Sequence, residues 1–180
     1  MVKHTEEATS AWIAETAKKV NAAKGSDYVE LDQGLLTVDQ IDALLNCLPL
    51  ELITIDKDDR YVYCNNEIPK EMLLSPRWPE KLGQTLSEVH KKTSMPHVQE
   101  IMDYAKTGQT YKLIKPSDNE YMVASFKNMT DKNDQYAGVT EWIVDLLPII
   151  NWYLKQTGQK LVPDETKKAT DVDSGASMQS

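Results

Sequence analysis

Hydrophobic positions change their spacing several times along the chain, and each change marks an element. Over residues 5–24, Trp12, Ile13, Thr16, Ala17 and Val20 fall on one face, with Glu15, Lys18 and Lys19 opposite. That is the stripe of an amphipathic helix. Gly25 is placed to end it. Asp27 to Gly34 reads as a connector or a short strand. Thr37 and Gln40 have the spacing of a capping box, with Leu36 and Ile41 in staple positions, so a second helix starts there. Val38, Ile41, Leu44, Leu45 and Leu48 supply its apolar face, and Pro49 stops it.

From Leu50 the pattern becomes β-like. Leu50 to Ile55 and Arg60 to Cys64 are β-rich runs on either side of the polar stretch Asp56 to Asp59, which predicts a hairpin. Pro69, Pro76, Pro79 and Gly83 break residues 65–92 into short helical turns and loops. Ser94, Met95 and Pro96 open a further helix, because proline lacks only an N–H that a first turn leaves unpaired. Val98, Ile101, Met102 and Ala105 line its apolar face, and Gly108 ends it. Three β-rich runs follow: Thr110 to Lys115, Glu120 to Lys127 and Gln135 to Asp145, with turns at 116–119 and 129–134. Leu146 to Gln156 reads as a last helix carrying Trp152 and Tyr153, and residues 163–180 as a disordered tail. Two strands, a helical middle and three strands predict an α+β fold. Its five-stranded antiparallel sheet has helices on one face, plus flanking N- and C-terminal helices.

Composition narrows the function classes. The net charge is −8 and the basic residues are scattered, which argues against a nucleic-acid partner. The longest apolar stretch, Ile143 to Leu154, is interrupted by Asp145, Pro148 and Asn151. It falls short of the roughly 20 residues a membrane span needs. No signal-peptide pattern follows Met1, so a cytoplasmic location is expected. Cys47 and Cys64 stand alone in apolar runs and are expected to be buried free thiols.

The element order resembles the PAS fold, in which helices lie between the second and third strands of a five-stranded antiparallel sheet. The run from Leu48 to Asn66 carries the resemblance: an apolar strand, an acidic turn, then an aromatic-containing strand ending in Asn. A narrower set is similar to the PAS-like domains of the bacterial DUF438 family, some of which also carry a hemerythrin-like domain. It comprises Leu31 to Gly34, Leu48-Pro49, Ser75 to Arg77, Gly83, His90, Ser94, Val98 to Ile101, Gly108 and the paired terminal strands. Where that family often has Cys-His-Pro-Pro, this chain has Val89, His90, Lys91 and Lys92. Its three histidines are too few for a His-rich di-iron set.

Outside the resemblance lie an N-terminal amphipathic helix over 1–27, read from its apolar stripe, and a polar tail over 161–180; the resemblance implies a PAS-like domain with its terminal helix over 28–160. It implies a sensor or signalling module, not an enzyme, with a small-molecule pocket between sheet and helices. Candidate lining residues are Ile53, Ile55, Tyr63, Met72, Leu86 and His90 on the first half of the chain. Ile101, Met102, Met122, Ala124, Phe126 and Ile143 complete the lining. The signal would leave through a protein partner or a homodimer. Two alternatives stay open: a ligand-free interaction or dimerisation module, and a haem sensor through His90. Non-covalent flavin also stays open. A flavin-reactive cysteine does not, because Cys47 precedes the first strand of that sheet and Cys64 lies on the second.

His90 reads either as a pocket residue able to ligate haem iron or, more simply, as a hydrogen-bonded histidine at a helix end. His97, in a first helical turn, is expected to be neutral and solvent-facing, and His4 to lie in a frayed terminus. Asp56, Asp58 and Asp59 suit a polar hairpin turn better than a metal site. The seven glycines are dispersed, so no phosphate-cradling loop exists, and no triad-like set can be argued from spacing. Trp12, Trp152 and Tyr153 read as core packing on the sheet or as a dimer interface.

Overall fold

The computed structural model describes residues 6–65, 80–116, 120–164 and 166. Helix α1 (Glu6–Val20) is followed by a hairpin of β1 (Tyr28–Leu31) and β2 (Gly34–Thr37), and then by α2 (Val38–Asn46). β3 (Glu51–Asp56) and β4 (Tyr61–Cys64) form the predicted second hairpin. Then come α3 (Leu86–Val89), α4 (Met95–Lys106), β5 (Tyr111–Pro116), β6 (Tyr121–Thr130), β7 (Tyr136–Asp145) and α5 (Leu147–Thr157). The expected turns over 65–92, Met72 among them, fall partly on 66–79, outside the described residues, as do His4 and most of the tail.

Local chemistry sets several boundaries. The Gln40 N–H donates to Thr37 Oγ1 at 3.2 Å while the Thr37 N–H donates to Gln40 Oε1 at 2.9 Å, so the capping box forms as read. Helix α1 stops earlier than expected, because Asn21 turns left-handed at φ 50°. Helix α2 likewise ends at Asn46, ahead of Pro49. The stretch over 27–34 is not merely a connector: Tyr28–Leu31 pairs antiparallel with Gly34–Thr37 as a separate two-stranded sheet. Strand β6 runs on to Thr130, into the stretch expected to be a turn, because Lys127 to Met129 find partners in Gly138 to Thr140.

The main sheet is antiparallel with strand order β4-β3-β7-β6-β5. Its register decides which side chains share a face. Glu51, Ile53 and Ile55 of β3 lie opposite Ile143, Glu141 and Val139 of β7. Ala124 and Phe126 of β6 lie opposite Ile143 and Glu141. Helix α4 packs across β5, β6 and β7, burying Val98, Ile101, Met102 and Ala105. Leu82 and Leu86 close the cluster beside β3 and β4. Each large aliphatic side chain withdrawn from water here contributes about 1.5–3 kcal/mol.

Helix α1 lies against the segment after β4. Trp12 is half-buried and packs on the core cluster. It rests on Gly83, where an added Cβ would sit 2.7 Å from the Trp12 ring and the backbone has φ +85°. Only a residue without a side chain suits both constraints. The rest of the predicted stripe is weakly used, since Ile13 and Val20 stay exposed.

Candidate functional site

The helix-covered face of the sheet brings most of the predicted lining residues together. Ile53, Ile55, Leu86, Ile101, Met102 and Ile143 are buried. Met122, Ala124 and Phe126 lie on the same face but are only half-buried against the core. The packing is thus closed over β3 and β7 and looser over β6. Met72 lies outside the described residues.

Tyr63 does not belong to this face. It pairs with Thr54, whereas the inward residues of β3 are Ile53 and Ile55. Between Thr54 and Ile55 the register shifts, so that Ile55 pairs with Tyr61. The extra residue on β4 is a β-bulge, and it turns Tyr61 inward to 3% exposure. Tyr63 instead lines a groove beneath α1. Period-two counting cannot see a bulge, which depends on the partner strand.

Two acidic residues that the sequence reading passed over also sit on the inner face. Glu51 is 2% exposed, and Glu141, opposite Ile53, is half-buried. Their signal was available: Glu51 has the same parity as Ile53 and Ile55. They place two carboxylates on an otherwise apolar wall.

His90 caps the C-terminus of α3, and its Nδ1–H donates to the Leu86 carbonyl at 3.1 Å. Its ring lies 6.5 Å from that of Tyr61. This is the helix-end arrangement, and it borders the core. His97 is not simply solvent-facing. Its ring stands edge-on to Tyr111, Nδ1 lies 3.4 Å from Glu100 Oε2, and Nε2 is buried without a partner. Asp56 Oδ1 accepts the N–H groups of Asp58 and Arg60, both at 2.9 Å, so the acidic trio builds the hairpin turn. No metal-holding cluster of three such side chains occurs among the described residues.

The cysteines divide. Cys64 is buried as expected, but Cys47 is exposed, because it follows the last turn of α2 and its Sγ–H donates to the Leu44 carbonyl. Burial pushes the Cys64 thiol up from 9.0 to about 11. A thiol whose folded pKa exceeds its unfolded value supports the fold fully below the unfolded value and loses that support as pH rises. Between about pH 9 and 11 the parent should therefore lose stability faster than Cys64→Ala, a difference that urea titrations at stepped pH will read. In the folded protein at neutral pH, a thiol reagent should modify Cys47 alone.

The sequence profile of the PAS domain family matches residues 41–147, more than half of the 180-residue chain. The chain belongs to the PAS family. Among solved structures, a C-terminal domain from Streptococcus mutans is 22% identical, with 72% of this chain and 99% of that chain covered at a TM-score of 0.66. It shows the fold. VqmA of Vibrio cholerae, in a structure described as bound to DPO, is 21% identical over 66% of this chain and 61% of its own, at a TM-score of 0.47. The Aer2 receptor of Vibrio cholerae, described as a dual PAS-heme oxygen sensor, is 17% identical over 54% and 94%, at 0.40. The ligands in those descriptions, and the DNA of another VqmA structure, are said of those proteins alone. Comparison with curated proteins gives no match.

The PAS match begins in α2 and ends at the start of α5, so it contains the whole five-stranded sheet with α3 and α4. Helix α1 and the β1–β2 hairpin precede it. Helix α5 departs from the core-packing reading. Asp145 Oδ1 accepts the N–H groups of Tyr121 and Leu147, which fixes the exit from β7. Beyond it no residue of α5 is buried, and Trp152 and Tyr153 are 64% and 49% exposed. No helix among the described residues is long and apolar enough to cross a membrane.

Proposed function

We propose that this PAS domain is a sensor or signalling module, not an enzyme, which binds a small molecule between sheet and helices and acts through protein contacts. One observation carries the reading: the half-burial of Met122, Ala124 and Phe126 on an inner face that is closed elsewhere. Ligand pockets are mostly apolar with a few polar groups that orient the guest. Binding would shift the balance between helix arrangements, and a partner would read the shift. Within the PAS family we place the chain nearest the DUF438-type domains, on its Leu48-Pro49, Gly83 and His90 positions. The working unit is residues 28–160, with 1–27 and 161–180 as appendages. Free thiols at Cys47 and Cys64 suit a reducing cytoplasm, and the charge of −8 disfavours nucleic acid.

Native mass spectrometry of protein purified from its own host tests the pocket. A mass above that of the bare chain is expected, and Ala124→Trp should abolish it with little change in thermal midpoint. Bare-chain mass alone, with Ala124→Trp costing about 1–3 kcal/mol as in a filled core, would remove the ligand reading. A Soret or flavin band would name the cofactor class. A Soret band unchanged in His90→Ala eliminates that residue as haem ligand.

The exposed apolar face of α5 favours a second reading, in which this face pairs with a second copy of the chain. Light scattering should then give a dimer mass that Trp152→Glu converts to a monomer. A parent that is monomeric at high micromolar concentration would end that reading.

A further inference from the structure

Helix α1 closes its own C-terminus. Asn21 is left-handed at φ 50° and its N–H donates to the Lys18 carbonyl at 3.3 Å, while the Ala22 N–H donates to the Ala17 carbonyl at 2.9 Å. This is a Schellman cap, which satisfies carbonyls of the last turn without help from another element. Lys18 and Lys19 in that turn complement the helix dipole. The chain is next fastened at Gly25 and Asp27, whose carbonyls accept the N–H groups of Asp39 and Val38 at the start of α2, both at 3.0 Å. Residues 21–24 thus form a short link between a self-contained helix and a fixed point.

Beyond that link, one side chain holds α1 to the domain. Of residues 10–20 only Trp12 packs on the core cluster; Thr16 and Ala17 are half-buried and the rest are exposed. Among the described residues, no hydrogen bond or ion pair joins residues 10–20 to another element. Where tighter packing would bring α1 onto β4 there is instead a groove of about 770 Å³, lined by Ile13 and Val20 of α1 and by Val62 and Leu82. The seat of Trp12 is firm. Its Gly83 N–H donates to the Tyr61 carbonyl at 2.8 Å, and the Tyr61 N–H donates to the Gln84 carbonyl at 2.9 Å. A helix of 15 residues is marginal alone in water, so the Trp12 contact decides whether α1 stays in place.

From this geometry we infer that α1 is a strap, hinged at residues 21–24 and pinned by Trp12, that leaves the domain as a unit while the five-stranded sheet stays folded. Segments with few buried contacts open at a fraction of the cost of global unfolding. Release bares the Trp12 ring together with Val62 and Leu82, so the strap hides or presents one apolar patch. Helix α1 precedes the matched PAS region, and its release does not depend on a guest in the inner pocket.

Amide hydrogen exchange of the full chain, followed by NMR, tests the strap. Amides of residues 13–20 should be protected, yet exchange at least about a hundredfold faster than the slowest amides of β3 and β7. Low urea should barely alter α1 exchange while speeding the sheet, because opening α1 exposes little surface. Trp12→Ala should speed exchange in α1 by about tenfold or more, with the sheet still far slower and its thermal transition cooperative. Ile13→Ser and Val20→Ser, at exposed positions, should leave α1 within about twofold of the parent, since helix propensity changes little. Common exchange rates and urea dependence in α1 and the sheet would overturn the strap, as would residues 13–20 without protection in the parent. Val20→Ser as damaging as Trp12→Ala would overturn the single pin.

Discussion

Gly138→Ala should destabilise the protein by about 4 kcal/mol or more, the sum of a backbone conformation open in practice to glycine alone and a collision with the next strand. Gly138 sits at φ +139°, and a Cβ there would lie 2.1 Å from the Ile55 carbonyl oxygen and 3.0 Å from Asp56 Cα. Both obstacles are backbone, so no rotamer change relieves them. The residue occupies the end of β7 where it pairs with Asp56 on one side and Met129 on the other. Moving it would displace its neighbour Val139, which is fully buried in the core. The thermal midpoint should fall by roughly 15 °C, or soluble protein should be lost. Gly158→Ala provides the contrast. It also has positive φ, at 67°, but nothing lies within 4 Å, so only the left-handed strain of about 1 kcal/mol applies. Equal midpoints for the two variants would refute the collision.

Asn65→Ala should cost about 3 kcal/mol, because it strips three hydrogen bonds from partly buried backbone groups at once. Asn65 Oδ1 accepts the Leu52 N–H at 2.8 Å, and Nδ2 donates to the carbonyls of Leu50 at 2.9 Å and Leu45 at 3.2 Å. A single 8% exposed side chain thus ties the end of α2, the following loop and the start of β3 to the end of β4. Asn65→Asp keeps the acceptor for Leu52 but turns an oxygen toward two carbonyl oxygens, so it should be no milder than alanine. Urea titration measures both. An Asn65→Asp variant as stable as the parent would show that the two donated bonds contribute nothing.

Asn65 also shows what a sequence can reveal. Its place after an aromatic-containing strand was part of the resemblance to the PAS fold, yet its three partners were invisible, because Leu45, Leu50 and Leu52 meet it only when the hairpin closes. The buried lining residues divide in the same way. Ile53, Ile55 and Met102 were legible from periodicity, since each has an apolar neighbour at strand or helix spacing, whereas Ile143 stands between Glu141 and Asp145 and was legible only as part of a β-rich run. Tyr63 was wrongly placed and Tyr61 missed, because the bulge between them arises from pairing with Ile55. Glu51 was missed for a different reason. Its parity pointed inward, but its charge read as a surface residue. Cys47 looked apolar from its neighbours, and only the end of α2 exposes it.

The order of helices and strands, the capping box at Thr37, the proline start of α4 and the alternation in β3 were settled by the chain alone. Each depends on residues a few positions apart, whose hydrogen bonds and side-chain directions follow from local geometry. Strand register, the bulge in β4, the approach of Gly138 to Ile55 and the groove under α1 were decided only in three dimensions. These features join segments tens of residues apart. Their energies depend on which faces meet, and no local pattern encodes that meeting.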